Sequence, residues 1–179
     1  MTIILNGSDV ASLLDAQATL AALRSGFLAQ NQAPAAGLRA RADLPGPGTA
    51  TALLPGLLAG IPAYTVKVNA KFPRARPALC GVVCLHSLQD GRLLAILDSA
   101  SLTAWRTGLA AALATDVLAP PDASTLGVVG AGAQAELVLA GLAGLRTITR
   151  LTVTDLDPDR ARRFTETAAK VRASLTVPS

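Results

Sequence analysis

Apolar residues recur along this chain with two different periods, and the points where the period changes mark out its elements. Thr2–Leu5 is a short apolar run suited to a strand. Asn6-Gly7-Ser8 then turns the chain, with Ser8 available as an N-cap. From there to about Gln30 the apolar positions Val10, Leu13, Leu14, Ala18, Leu20, Leu23 and Phe27 keep helical spacing, which predicts a helix that Asn31–Gly37, with Pro34 and Gly37, brings to an end. Beyond Gly37 the period shortens to that of strands: Leu38–Asp43, Ala50–Leu57, Ile61–Val68, Leu79–Leu88 and Arg92–Asp98. Pro-Gly pairs, the Pro73–Pro77 loop and the hairpin signal Gln89-Asp90-Gly91 separate them.

Residues 38–98 therefore read as a largely antiparallel sheet. Asp98–Ser101 offers caps for a helix over about Leu102–Leu118, which Pro120-Pro121 terminates. After that stop the order becomes strand Thr125–Val129, helix Gln134–Leu145, strand Leu151–Asp155 and helix Asp157–Val171, with Pro158 in the first helical turn. The expectation is an α/β protein in two parts. Residues 1–122 form a mixed or antiparallel sheet with helices, and residues 123–179 form the first part of a Rossmann-type dinucleotide-binding domain, of which Leu175-Thr176-Val177 would begin a third strand.

The second part carries the sharpest chemical signal. Leu126–Val129 leads directly into Gly130-Ala131-Gly132-Ala133-Gln134-Ala135, and a helical pattern follows. A dinucleotide-binding βα turn needs this order: Gly130 for the tight turn, Gly132 so that the backbone can approach a pyrophosphate, and small Ala135 for close packing of helix on sheet. The orphan N–H groups of the helix start then face the phosphates. Asp155 follows Gly130 by 25 residues, close to the interval of about 20 expected for a carboxylate that accepts from the ribose hydroxyls. An ordinary strand-to-helix turn, or a site for S-adenosylmethionine, shares the same local pattern.

Composition narrows the classes. With 51% hydrophobic and 16% charged residues in 179, the chain belongs among globular proteins. The long uncharged stretch Leu44–Val66 is broken by four prolines and four glycines, which excludes a simple membrane helix. The first residues have neither the basic start nor the apolar core of a signal peptide, so a cytoplasmic location is expected. The formal charge is +4, yet aromatics make up only 3% and no dense basic run occurs, which argues against nucleic acid as a partner. Between Arg39 and Arg106, eight basic residues face three acids, and a locally cationic segment suits a small anionic substrate such as a carboxylate.

Two cations stand out there. Lys67 interrupts the apolar run Ala63–Val68, where a buried ammonium needs an anionic partner or a task, unless it snorkels to water. Arg106 follows Trp105 in the first turns of a helix, where the dipole mildly disfavours a cation. Cys80 and Cys84 share one strand face without further metal ligands and read as small buried hydrophobes. The single histidine, His86, reads as a packing or surface residue, and no metal site is expected.

Taken together, several segments make the chain resemble the ornithine cyclodeaminase/mu-crystallin family. They are Thr65-Val66-Lys67-Val68-Asn69 with Pro73 following, Gly81-Val82-Val83 through Asp90-Gly91 to Ala95-Ile96-Leu97-Asp98, Leu102-Thr103-Ala104-Trp105-Arg106-Thr107, and Leu126–Ala135. Order and spacing agree over about Leu38–Ala169, and an LTxxRT segment ahead of a GxGxQ loop is far more specific than either alone. The resemblance implies an NAD(P)-dependent enzyme acting at Cα of an amino acid or of the corresponding imine, assembled as a homodimer. In cyclodeaminases, hydride leaves Cα for the nicotinamide, the side-chain amine attacks the imine, ammonia departs and hydride returns. Alanine dehydrogenases and ketimine reductases use the same hydride step for net oxidation or reduction.

Carried over by motif, Arg39, Lys67 and Arg106 are the residues implied to hold the substrate carboxylate, with Lys67 also placed for proton transfer; Arg41 is the alternative to Arg39. Gly130, Ala131, Gly132, Ala133 and Gln134 would line the pyrophosphate, and Asp155 would favour NAD over NADP, because a carboxylate repels a 2′-phosphate. Departures from the family pattern exist as well. Ala78 stands where many relatives carry a cofactor-contacting threonine, and nothing after Asp155 matches the family's catalytic aspartate. The 179-residue chain is accordingly expected to be an N-terminal portion with little turnover, or a mu-crystallin-like binder of a dinucleotide or small ligand without catalysis.

Overall fold

A computed structural model describes residues 1–29 and 39–175. The expected chain reversal at Asn31–Gly37, the first residue of the Leu38 strand and the Thr176-Val177 stub lie outside the described residues. The chain divides into two compact units, Met1–Leu14 with Ser25–Thr103, and Asp15–Arg24 with Ala104–Ser179. The two sheets lie on either side of residues 122 and 123 in sequence, whereas the compact units part between two helices at Leu14/Asp15 and within helices at Arg24/Ser25 and Thr103/Ala104.

The first unit is built on a six-stranded sheet in the order β1-β6-β5-β4-β3-β2. Its strands are β1 (Ile3–Leu5), β2 (Ala40–Asp43), β3 (Ala50–Leu57), β4 (Ala63–Lys71), β5 (Leu79–Ser87) and β6 (Leu93–Asp98). All neighbours from β2 to β6 are antiparallel, as the short Gly- and Pro-bearing connections require, and β1 joins β6 in parallel. The β5–β6 hairpin turns at Asp90-Gly91, where the Asp90 carboxylate accepts from the Arg92 amide (3.2 Å). Strand alternation gives the sheet two unlike faces. One presents Thr51, Leu53, Pro55 and Leu57 of β3, Tyr64, Val66, Val68 and Ala70 of β4, and Cys80, Val82, Cys84 and His86 of β5. The other carries Lys67, Asn69 and Lys71 of β4 and Arg41 and Asp43 of β2.

The N-terminal helical pattern resolves into two helices, α1 (Gly7–Leu13) and α2 (Ala16–Ala29), instead of one. Leu14 leaves the helix with φ −82° and ψ 126°, and the Asp15 carboxylate accepts from the Ala18 amide (2.8 Å), restarting the chain as a new helix. The cap of α1 is Asn6, not Ser8. Its side chain accepts from the amides of Ser8 (2.9 Å) and Asp9 (3.0 Å), while Asp9 reaches back to the Asn6 amide, closing a capping box.

The second unit contains a parallel pair, β7 (Thr125–Val129) and β8 (Arg150–Thr154), with helices α4 (Ala133–Ala143) and α5 (Pro158–Leu175). Alternate residues Leu126 and Val128 of β7, with Leu151 and Val153 of β8, pack against a core of Ala131, Leu139, Phe164 and Ala168. Leu175 is helical, so it does not begin a strand. Helix α3 (Ser99–Leu118) passes through both units. Its later turns place Leu109 and Leu113 with Leu20 in a second core, joined by Leu23, Trp105 and Leu145. These features match the expected fold class: a mixed sheet with helices followed by a Rossmann-type β-loop-α-β turn. No helix among the described residues is long and apolar enough to cross a membrane.

Candidate functional site

In the first unit, Lys67 lies half-buried on β4, where the sequence pattern demanded a reason for it. Its Nζ donates to Thr103 Oγ1 (2.9 Å), and the Thr103 hydroxyl in turn donates to the Ser99 carbonyl (2.5 Å). Ser99 is fully buried and its hydroxyl donates to Asn69 Oδ1 (2.7 Å), with Asn69 itself buried two residues beyond Lys67 on the same strand face. The Asp98 carboxylate starts α3 by accepting from the Ala100 amide (2.9 Å). Thus the helix entry and the lysine strand are joined by side chains.

Arg39 is exposed just ahead of β2. In the β2–β3 register Ala40 faces Leu53, and continuing it by one residue sets Arg39 opposite Leu54, which faces Lys67. Arg39 therefore falls in the cross-strand row of Lys67. Arg41 falls in the next row and forms an exposed ion pair with Asp43 (2.8 Å). Arg106, exposed on α3, follows Thr103 by three residues.

In the second unit, the glycine loop joins β7 to α4. Gly130 takes φ +90°, a conformation that side-chain-bearing residues rarely adopt. Gly132 is the N-cap of α4 with φ −93° and ψ −179°, and no side chain caps the helix start. A Cβ added at either glycine would meet nothing within 4 Å, so no protein atom crowds these two positions, although the Gly130 amide donates to the Thr154 carbonyl (2.8 Å) and the Ala131 amide to Asp155. Backbone N–H groups at an uncapped helix start form a cradle for an anion.

Asp155 directly follows β8, with only 7% of its side chain exposed. Its Oδ2 accepts from the Ala131 amide (2.7 Å), inside the loop, and its Oδ1 from the Asp157 amide (2.9 Å). Arg160 Nη1 stands 3.8 Å away. The Asp157 amide first, then the Ala131 amide and the Arg160 charge, hold this carboxyl below its ordinary value of 3.8. Spacing alone pointed Asp155 toward a ribose, whereas the structure shows it holding the loop.

Other expected assignments come out differently. Cys80 is exposed and Cys84 half-buried, both free thiols, so Cys80 is not the buried hydrophobe expected from its strand face. His86 stacks on Tyr64, with ring centroids 4.9 Å apart, which is a packing role. Among the described residues no group of His, Cys, Asp and Glu could hold a metal ion. Four residues have contacts that the sequence pattern does not assign: Thr103, Asn69, Ser99, which enters the pattern only within the capping stretch Asp98–Ser101, and Arg146, which pairs with Asp116 (3.0 Å) while donating to the carbonyls of Asp116, Pro120 and Ala123. An asparagine inside an apolar strand is the one signal that pointed to the first three.

A mixed sheet followed by a parallel β-loop-α-β turn, with a glycine at positive φ and a carboxylate closing the second strand, defines a two-unit α/β protein of the Rossmann type. The chain belongs to the ornithine cyclodeaminase/mu-crystallin family, whose model matches residues 5–178. It is 34% identical over 140 residues to a Delta(1)-pyrroline-2-carboxylate reductase of Paracoccus denitrificans, covering 75% of this chain and 44% of the relative. It is 36% identical over 88 residues to the L-lysine cyclodeaminase of Streptomyces rapamycinicus, covering 49% of this chain and 26% of the relative. Among solved structures it resembles the Thermococcus litoralis Delta(1)-pyrroline-2-carboxylate reductase in complex with NADH and L-proline, with a TM-score of 0.85 and 26% identity over 96% of this chain and 55% of that one. The chain spans less than half the length of these two curated relatives.

Proposed function

We propose that this chain provides the dinucleotide cradle and substrate cations of an NAD-dependent enzyme that moves hydride at Cα of an amino acid or its imine. The observation that carries the reading is the β7–α4 turn: Gly130 at φ +90°, Gly132 as an uncapped helix start, and the Ala131 amide tied to Asp155. The site suits a pyrophosphate in kind, since it offers backbone donors and no side chain that would block approach. Gly130, Ala131, Gly132, Ala133 and Gln134 would hold the cofactor there, and when bound it supplies the hydride acceptor or donor.

Asp155 would accept from the ribose hydroxyls with its remaining lone pairs, while Arg160 stands 3.8 Å from Asp155 and Arg163 3.9 Å from Asp157. A carboxylate at the ribose position disfavours a 2′-phosphate and favours NAD over NADP. Arg39, Lys67 and Arg106 would bind the substrate carboxylate, turning Cα–H in one direction, and the Lys67 ammonium would exchange a proton with the substrate. That the 179-residue chain alone turns over little belongs to the same proposal, and NADH formation from ornithine or alanine by the purified chain would contradict it.

A homodimer is proposed on the apolar β3–β5 part of this sheet face. Leu53, Val68 and Val82 lie side by side across β3, β4 and β5, and remain 43%, 37% and 38% exposed, with Asp98 of β6 next in the row. Extended apolar surface of this kind is ordinarily covered, and a second copy of the same β3–β5 surface would cover it. Sedimentation of Val68→Asp tests this: a monomeric variant with native circular dichroism is expected, and an unchanged dimer would refute the assignment. Titration with NADH and NADPH tests the cofactor: tighter NADH binding is expected, and equal or tighter NADPH binding contradicts the choice of NAD.

A further inference from the structure

We infer that Thr103 is a positioning residue for Lys67, acting as one corner of a four-residue staple that sets the direction and reactivity of its ammonium. The inference rests on the substrate role proposed for Lys67, but its test does not require that role. The staple consists of Lys67 and Asn69 on β4 facing Thr103 and Ser99 on α3. Residues two apart on a strand are separated by about 6.7 Å. Residues four apart on a helix rise by about 6.0 Å. The two spacings match closely enough for Lys67 to meet Thr103 while Asn69 meets Ser99. A helix docked one residue out of register would bring neither pair together.

The direction of each hydrogen bond is determined along the staple. The Thr103 hydroxyl gives its proton to the Ser99 carbonyl (2.5 Å), so the oxygen it turns to Lys67 (2.9 Å) is an acceptor. An acceptor at this point favours the charged form of the lysine. The other corner is rigid as well. Ser99 is fully buried, and its hydroxyl donates to Asn69 Oδ1 (2.7 Å). Gly81, at φ +157°, lies so close beneath that a Cβ there would stand 2.8 Å from the same Asn69 oxygen. Asn69 is thereby confined, Ser99 is held by Asn69, and Thr103 inherits its place from the helix turn that Ser99 begins. Arg106, the other cation proposed for the carboxylate, follows Thr103 by three residues on the same helix.

The chain has only three lysines, Lys67, Lys71 and Lys170, which makes a direct readout practical. Wild type, Thr103→Val and Thr103→Ser are labelled with trace acetic anhydride across a pH series, and the rate at Lys67 is read by mass spectrometry relative to exposed Lys71. Thr103→Val removes the acceptor with little change of shape, and Trp105 fluorescence reports whether it folds. A rise of about tenfold in the Lys67/Lys71 ratio is expected for it, with the Lys67 labelling profile moved to lower pH. Thr103→Ser, which keeps the hydroxyl, is expected to stay within about twofold of wild type. An unchanged ratio in folded Thr103→Val, or a serine variant as reactive as the valine one, would overturn the inference. Protection of wild-type Lys67 by added L-proline tests the substrate role separately: its absence removes that role and leaves the positioning result standing.

Discussion

The two proposed ligand-binding regions, one around Lys67 and one at the glycine loop, are prepared by different means. The Lys67 side is built from side chains: a strand lysine is aimed by a helix threonine, which depends on a buried serine and asparagine. The loop side is built from backbone, with one glycine at positive φ, one glycine at a helix start, and the amide of the residue between them held by Asp155. Preparation by side chains lets a single cation be directed, but each member can be substituted without blocking the chain's path. Preparation by backbone tolerates variation of exposed side chains such as Ala133 and Gln134, and fails where the path itself is blocked.

That contrast ranks the substitutions. Gly130→Val strikes the backbone half hardest, since a β-branched residue at φ +90° is strained by about 1–3 kcal/mol and must move the loop. NADH affinity is expected to fall roughly a hundredfold by calorimetry while L-proline binding persists. The counterpart is Lys67→Met, which keeps much of the apolar stem and removes the charge. It is expected to weaken L-proline about thirtyfold, from loss of roughly 2 kcal/mol of charge-assisted hydrogen bonding, and to leave NADH affinity unchanged. If either variant damages both ligands equally, the division into two independently prepared halves is wrong.

Asp155→Asn gives a finer test, because it keeps one acceptor oxygen for the Ala131 or Asp157 amide and loses the other. A fall of about fivefold in NADH affinity is expected, in between the intact loop and the blocked one. The smallest effect is on stability against pH. The Asp155 carboxyl is held below its ordinary value of 3.8 by the Asp157 and Ala131 amides and by Arg160. Its stabilising contribution is therefore complete above that ordinary value and is lost as pH falls through the lower folded value. Urea midpoints of wild type and Asp155→Asn should differ at about pH 6 and converge by about pH 2, whereas a gap that persists in acid would remove the carboxylate from the account.

Which parts of this were legible in the sequence follows from the range of the interactions involved. Local periodicity and turn chemistry located every strand of both sheets to within a few residues, because alternation, Asp90-Gly91 and the prolines act over short distances. The break at Leu14-Asp15 escaped notice since apolar spacing continues across it, and only the Asp15 cap reveals the restart. In the loop, Gly130 and Gly132 were readable because a backbone path constrains residue type directly. The Asp155 contact to Ala131 spans 24 residues and depends on the parallel register of β7 and β8, which the sequence does not state. The Lys67 staple spans 36 residues and depends on how α3 docks, so the lysine was conspicuous while its three supports were not.

The most direct measurement of the whole account is an NMR titration of the 15N-labelled chain with NADH, following the amides of Ala131, Gly132, Ala133 and Gln134 beside those of Val66, Lys67 and Val68. Saturable shifts at the four loop amides, with the β4 amides unmoved, are the predicted result. Loop amides that stay in place while the chain is folded and NADH is in excess would contradict the claim that this turn is a dinucleotide cradle.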